Sequence, residues 1–432
     1  MAKKKEETKE KSVDTFDILD NMINDQFDDV LDLSKTDTRV KTWYDIGVYA
    51  LNYAMSKNLK AGVPAGRIVS LDGLKGTGKS LMAASTMKDN KFDMLIILET
   101  EGGGHAQELI EFAGVDMRKV RILKSHTFGN YKIKKSNGDI EEVSDDKFPK
   151  NTDTDQFLYK EGAIRKVKRF IQALEFNPKL KDAKIGIILD SLGNLQSVRE
   201  FKGTPDMGAR SIDIGKFFRT FDTAFEQSNI SFIFTNKLYT NIGNIYDPFK
   251  ASGGVNVEYN PSLSVRFEEI AATDDITDAD MKKEKERRKT SLGNSVKTIR
   301  ANIIKSRFGT EGRRCWFLLD MSVGPVRLSG LFTLLKDFGL IKQSGSRYSI
   351  AGWNGDNSFY KKDFINLVMK DEENNINAFQ EMLDNREAEI KEERKSIQAN
   401  DIFEVPVENN DGDSDTENEY GDMVMAMEKD QD

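Results

Sequence analysis

Apolar positions along the chain fall into two textures. Short, nearly continuous apolar runs, of the kind buried parallel strands show, occur at Arg67–Asp72, Asp93–Leu98, Val120–Leu123, Lys184–Asp190 and Ile230–Thr235. Between them, apolar residues recur at helical spacing. Glu161–Phe176 carries Ile164, Val167, Phe170, Ile171 and Leu174 on one face, and Ile212–Glu226 carries a stripe of Phe217, Phe218, Phe221 and Phe225. Strands alternating with helices predict an α/β fold with a mostly parallel sheet between helices. Ser262–Glu268 reads as a later strand, and Lys297–Lys305 with Arg313–Leu319 as an antiparallel pair.

The two ends have a different pattern. Val13–Leu33 places Phe16, Leu19, Ile23, Phe27 and Leu31 at helical spacing among aspartates, an amphipathic helix that needs a partner surface. After Gly330 come a short helix, Leu331–Phe338, a hairpin, Leu340–Ile350, and further helices to Ile397. The expected organisation is a flexible segment and polymerisation helix over 1–41, a core over 42–330, a small α+β domain over 331–407, and an acidic tail, disordered by composition, over 408–432. Gly129–Asp155 reads as a polar surface hairpin or loop, and Asp274–Lys289 as a charge-dense helical insert with a solvated basic face.

Charged residues make up 31% of the 432, and no apolar run approaches the length of a membrane span. The opening Met1–Glu7 lacks the basic-then-apolar pattern of a secretory leader, and the single cysteine, Cys315, excludes an internal disulfide framework. A cytoplasmic location and no membrane partner are expected. Residues 409–432 hold nine acids against one lysine, a balance of −8 equal to the whole formal net charge, so the remaining 408 residues are near neutral. The acidic total therefore says little about any groove in the body of the protein.

Gly73-Leu74-Lys75-Gly76-Thr77-Gly78-Lys79-Ser80 is a full G-x-x-x-x-G-K-S match, preceded by a strand pattern and followed by a helical one beginning at Leu81. Its glycines allow backbone N–H groups to converge on phosphate oxygens, and the helix start adds partial positive charge. Lys79 is placed to reach β- and γ-phosphates and Ser80 to ligate Mg²⁺, so ATP and Mg²⁺ are the expected cofactors. Asp190, at the end of an apolar strand, matches the Walker B pattern and would lie beside the cation. Glu101, Asp190 and Asn236-Lys237 all fall at predicted strand ends, where open α/β sheets bind ligands.

The ordered set resembles the core of RecA-type recombinases: Gly62-Val63-Pro64-Ala65-Gly66-Arg67-Ile68-Val69, the phosphate loop, Glu99-Thr100-Glu101, and the double glycine after Asn236. Asp190-Ser191-Leu192-Gly193-Asn194-Leu195 and Lys305-Ser306-Arg307 are most similar to the UvsX-type recombinases of T4-like bacteriophages. The resemblance covers about Trp43 to Ile350. It implies a RecA-like P-loop ATPase core, with Glu101 activating the attacking water and Lys305 and Arg307 reaching a neighbouring subunit's ATP.

It also implies a first DNA-binding loop over Arg199–Arg210, with Lys202 and Met207-Gly208, and a second over Lys237–Asn260, with Lys250, Gly253, Gly254 and Asn256. Binding there would be sequence-tolerant and salt-sensitive. The implied partners are single-stranded DNA, homologous duplex DNA, further copies in a helical filament, a single-stranded-DNA-binding protein and a recombination mediator. The family's phosphate-sensing glutamine is replaced here by Lys237, and its adenine-stacking aromatic has no counterpart in His105–Leu109. A RecA-fold ring helicase and a non-hydrolysing regulatory paralogue stand as alternatives to the recombinase.

Overall fold

The structure, a computed structural model, describes residues 39–88, 92–100, 105–127, 162–180, 182–197, 207–225, 228–240, 249–270 and 296–401, with isolated residues and short pieces within 19–26, 133–134, 140–141, 156–157 and at 200. Two compact units divide the chain, residues 1–372 and 373–432.

A ten-stranded sheet organises the first unit. Its strands are β1 (Ile68–Gly73), β2 (Met94–Glu99), β3 (Val120–Lys124), β4 (Ile185–Asp190), β5 (Ile230–Thr240), β6 (Phe249–Ala251), β7 (Leu263–Glu269), β8 (Val296–Ser306), β9 (Arg314–Asp320) and β10 (Gly324–Pro325). The order is β10-β9-β8-β7-β1-β5-β4-β2-β3, with β6 paired to β5. From β7 to β3 every pairing is parallel, whereas β8, β9, β10 and β6 join antiparallel.

Alternation along the strands explains the two cores. In β2, Leu95 and Ile97 enter one buried cluster while Ile96 and Leu98 enter the other. The first cluster holds α1 (Tyr49–Ser56), α2 (Lys79–Ser85) and α3 (His105–Ala113); the second holds α4 (Ala163–Glu175) and α5 (Met207–Phe225). Strands covered on both faces read as continuous apolar runs, which is why they stood out in the sequence. Phe217, Phe218 and Phe221 are fully buried, and Val167 and Ile171 of α4 join them, so these members of both expected stripes are core.

Two boundaries differ from expectation. The strand expected to end at Thr235 runs to Thr240, because Leu238, Tyr239 and Thr240 pair with Ala251, Lys250 and Phe249. Asn236 and Lys237 are therefore strand residues, and within the segment expected as a polar loop the described residues extend β5, pair it with β6 and continue into α6 (Val255–Tyr259). The helix expected from Ile212 begins at Met207. Its first turn is fixed by tertiary contacts, Arg210 to the Gly193 carbonyl and Asn256 to the Ser211 carbonyl, which override the weak propensity of a Gly208-containing stretch.

A helix, α7 (Leu331–Asp337), and a three-stranded antiparallel sheet of Ile341–Ser344, Arg347–Ile350 and Phe359–Tyr360 follow. The second unit is helical through Asp401. Among the described residues no helix is long and apolar enough to cross a membrane. The 274–289 insert and the tail from 408 lie outside the described residues, as do most of 1–41 and of Gly129–Asp155.

Candidate functional site

β1 delivers the chain to the carboxyl edge of the sheet at Gly73, and α2 starts six residues later. Between them, Gly76 and Gly78 take φ of +81° and +80°, which L side chains rarely adopt. A β-carbon on Gly78 would lie 2.0 Å from Leu319 Cδ2, and one on Gly73 would lie 2.6 Å from Thr77 Oγ1 and 2.8 Å from the Phe267 carbonyl. This loop admits backbone and nothing more. Thr77 is buried and donates to the Leu74 carbonyl at 3.0 Å, while Lys75 is exposed. Lys79 Nζ donates to the Gly73 and Leu74 carbonyls at 2.9 and 2.8 Å, so its ammonium lies against the loop itself. Ser80 is half-buried at the helix start and Leu81 is buried behind it.

Asp190 ends β4, two strands across the sheet from β1. Thr235, whose strand runs between β4 and β1, donates its hydroxyl to Asp190 Oδ1 at 2.6 Å and fixes the carboxylate. The Asp190–Ser191 peptide is cis. Thr100 locks the turn from across β2, accepting from Ser191 N at 2.7 Å and donating to the Ser191 carbonyl at 2.8 Å. A hydroxyl such as that of Ser80 and a carboxylate such as that of Asp190 are ligand types suited to a hard cation that phosphates also ligate. Among the described residues no group of three or more His, Cys, Asp or Glu side chains could hold a metal unaided.

Lys305 and Arg307 lie elsewhere. Lys305 pairs with Ser264 and Ser306 with Leu263, which are level with Ser70 and Val69, at the amino end of β1. That is on the order of 10 Å or more along the strand from Gly73, and two strands across. Lys305 donates to the Tyr259 carbonyl, and Arg307 is exposed. Nothing within one chain brings this pair to the phosphate loop.

Of the expected DNA-contacting residues, Arg199 and Lys202 lie outside the described residues, as does the expected base Glu101. Lys237 is exposed and donates to Asn194 Oδ1 at 3.0 Å. Lys250 is exposed on β6, Gly208 is exposed on α5 next to Met207, and Arg210 is half-buried against Gly193. Gly253 and Gly254, with φ of +110° and +75°, make the turn into α6, where Asn256 is tied to Ser211. Lys237, Lys250 and the glycine turn thus share one hairpin and its exit.

Three further residues carry signals that motif matching does not use. Thr235 is a hydroxyl at the end of the apolar run in β5, which continues to Thr240. Lys297 of β8 pairs with Glu269 at 2.7 Å, and its Nζ lies 3.4 Å from where a β-carbon on Gly76 would be, a third cation at the loop's crest. Asp72 is a buried carboxylate one residue before the loop, accepting from Ser70 Oγ at 2.7 Å. Burial pushes its pKa up to about 6; the Ser70 hydroxyl, Arg266 and Lys79 oppose this, and Glu258 adds to it.

A carboxyl raised on folding stabilises the fold while protonated, and that contribution is lost as pH rises from about 4 to about 6. Asp72→Asn is therefore expected to stabilise the protein by about 2–3 kcal/mol at pH 8, with about half that gain at pH 5 and little at pH 4. Thermal melting at these pH values checks this; equal shifts at all of them would refute it.

No family model matches the chain, and no curated protein matches it either.

Proposed function

We propose that the chain is an ATP-dependent DNA recombinase with a RecA-like P-loop core, forming filaments on single-stranded DNA and pairing it with homologous duplex. One observation supports the reading: the glycine loop and Asp190 both follow the carboxyl ends of parallel strands, on either side of the strand whose pairing with β6 carries Lys237 and Lys250. Nucleotide and DNA sites on adjoining strand ends are what a DNA-activated ATPase requires.

The chain's residues divide the work. Gly73–Ser80 would cradle phosphates with backbone N–H groups, and Lys79 would neutralise charge that grows on the transferred phosphoryl. Ser80 and Asp190 would hold Mg²⁺, which polarises the phosphates when bound; Thr235 keeps Asp190 oriented for it. Glu101 is assigned the general-base role. Lys305 and Arg307, remote from their own loop, would complete a neighbour's site, so turnover requires assembly. The exposed cations Lys237 and Lys250 would contact backbone phosphates, with affinity falling steeply in salt.

Joint-molecule formation between homologous single- and double-stranded DNA tests the proposal. The wild-type chain should pair strands only with ATP and Mg²⁺, and Lys79→Ala and Glu101→Gln should abolish or arrest pairing. Directional unwinding without homology would instead identify a helicase, and assembly with neither activity a regulatory paralogue.

A further inference from the structure

We infer that Arg266, Asp72 and Asn236 form a relay through which the phosphate loop sets the position of the DNA hairpin. The inference rests on the nucleotide and DNA assignments proposed above.

The three residues stand in register on adjacent parallel strands: Arg266 on β7 pairs with Asp72 on β1, and Asp72 with Asn236 on β5. Residues paired in a parallel sheet present their side chains to the same face, so the row is continuous across three strand ends. Both outer members hold the same piece of chain. Asn236 Nδ2 donates to the Ser252 carbonyl at 2.9 Å, and Arg266 Nη2 donates to the Phe249 carbonyl at 3.4 Å. Those carbonyls lie at the start of β6 and just past its end, on either side of exposed Lys250. The Ser252 amide closes the grip by donating to the Lys237 carbonyl at 3.0 Å.

The central member is coupled to the loop in two ways. Asp72 is bonded directly to Gly73, whose surroundings, Thr77 and the Phe267 carbonyl on the strand carrying Arg266, leave no room for a side chain. Asp72 also interacts electrostatically with both Arg266 and Lys79. A triphosphate engaging Lys79 would reduce that lysine's hold on the buried carboxylate and draw Arg266 towards Asp72, away from the Phe249 carbonyl. The hairpin then gains freedom to fit a nucleic-acid strand. Because the coupling is a free energy between two sites, it must work in both directions: DNA at the hairpin would also tighten nucleotide binding. The position before the loop is therefore a positioning residue, as is Arg266.

The test is the ratio of affinities for a fluorescent single-stranded oligonucleotide with Mg²⁺ and a non-hydrolysable ATP analogue versus Mg²⁺ and ADP. The wild-type chain should show a ratio of about tenfold. Arg266→Gln and Asp72→Asn should each bring it to within about twofold of unity, and Arg266→Lys should retain part of it, which a merely structural role would not produce. Asp72→Asn preserves side-chain volume and the acceptor for Ser70, so it decides the matter if Arg266→Gln does not fold. A ratio unchanged in the variants, or a wild-type chain that binds both ligands without coupling, overturns the relay alone. Failure of the wild-type chain to bind fluorescent ADP or the ATP analogue, measured separately, overturns the proposed function and the relay with it.

Discussion

Replacing Lys79 with alanine is expected to lower DNA-stimulated ATP turnover at least about 100-fold, the scale seen when one preorganised electrostatic contact to a developing charge is removed. The ammonium lies on the carbonyls of Gly73 and Leu74, inside a turn that tolerates no added carbon at Gly73 or Gly78. Lys75 is exposed on the loop itself, Lys297 approaches the crest from β8, and Lys305 and Arg307 lie further toward the amino end of the strands. Lys79 is only half-buried, so the fold should survive, with a melting temperature within a few degrees of the parent. Phosphate release measured with and without single-stranded DNA is the readout. Turnover within threefold of the parent would mean the loop does not act on a nucleotide.

The largest expected loss of stability comes from Phe217→Ala, at about 3–5 kcal/mol. Phe217 is fully buried, with ring centroids 4.6 Å from Phe221, 5.7 Å from Phe218 and 5.9 Å from Phe232 of β5. Truncation would leave a void between α5 and the sheet that three neighbouring rings cannot fill without leaving their own contacts. Chemical denaturation monitored by circular dichroism should show a shift of several kcal/mol, against well under 1 kcal/mol for an exposed control such as Lys216→Ala. A shift below about 1 kcal/mol would show that the second core is more plastic than its packing implies.

What could be read directly from the sequence is what depends on neighbours along the chain. The five apolar runs became five of the six parallel strands, the glycine loop lay between strand and helix, and Asp190 ended its strand, because burial (on both faces for all five but the exposed edge strand β3) and tight turns leave local signatures. The extension of β5 to Thr240 left no such mark. Its cause is the pairing with Phe249–Ala251, across a polar stretch that looked like loop. Asp72, Thr235, Lys297 and Arg266 share that property: each looks ordinary in its own segment and acquires a role only when strands distant in sequence are set in register. The helix start at Met207 was hidden for a related reason, since the contacts of Arg210 and Ser211 outweigh a glycine in the first turn.

The separation of Lys305 and Arg307 from Gly73 gives the molecule a direction. On the proposed reading, one end of the sheet offers an acceptor and the other a donor, so copies can stack only head to tail and a two-fold dimer completes neither site. An open row of subunits then always carries one nucleotide site without its donor, at one terminus and not the other. Short rows spend a large share of their sites this way and long rows almost none. Turnover per subunit should therefore rise with length, and the two termini should exchange subunits at different rates.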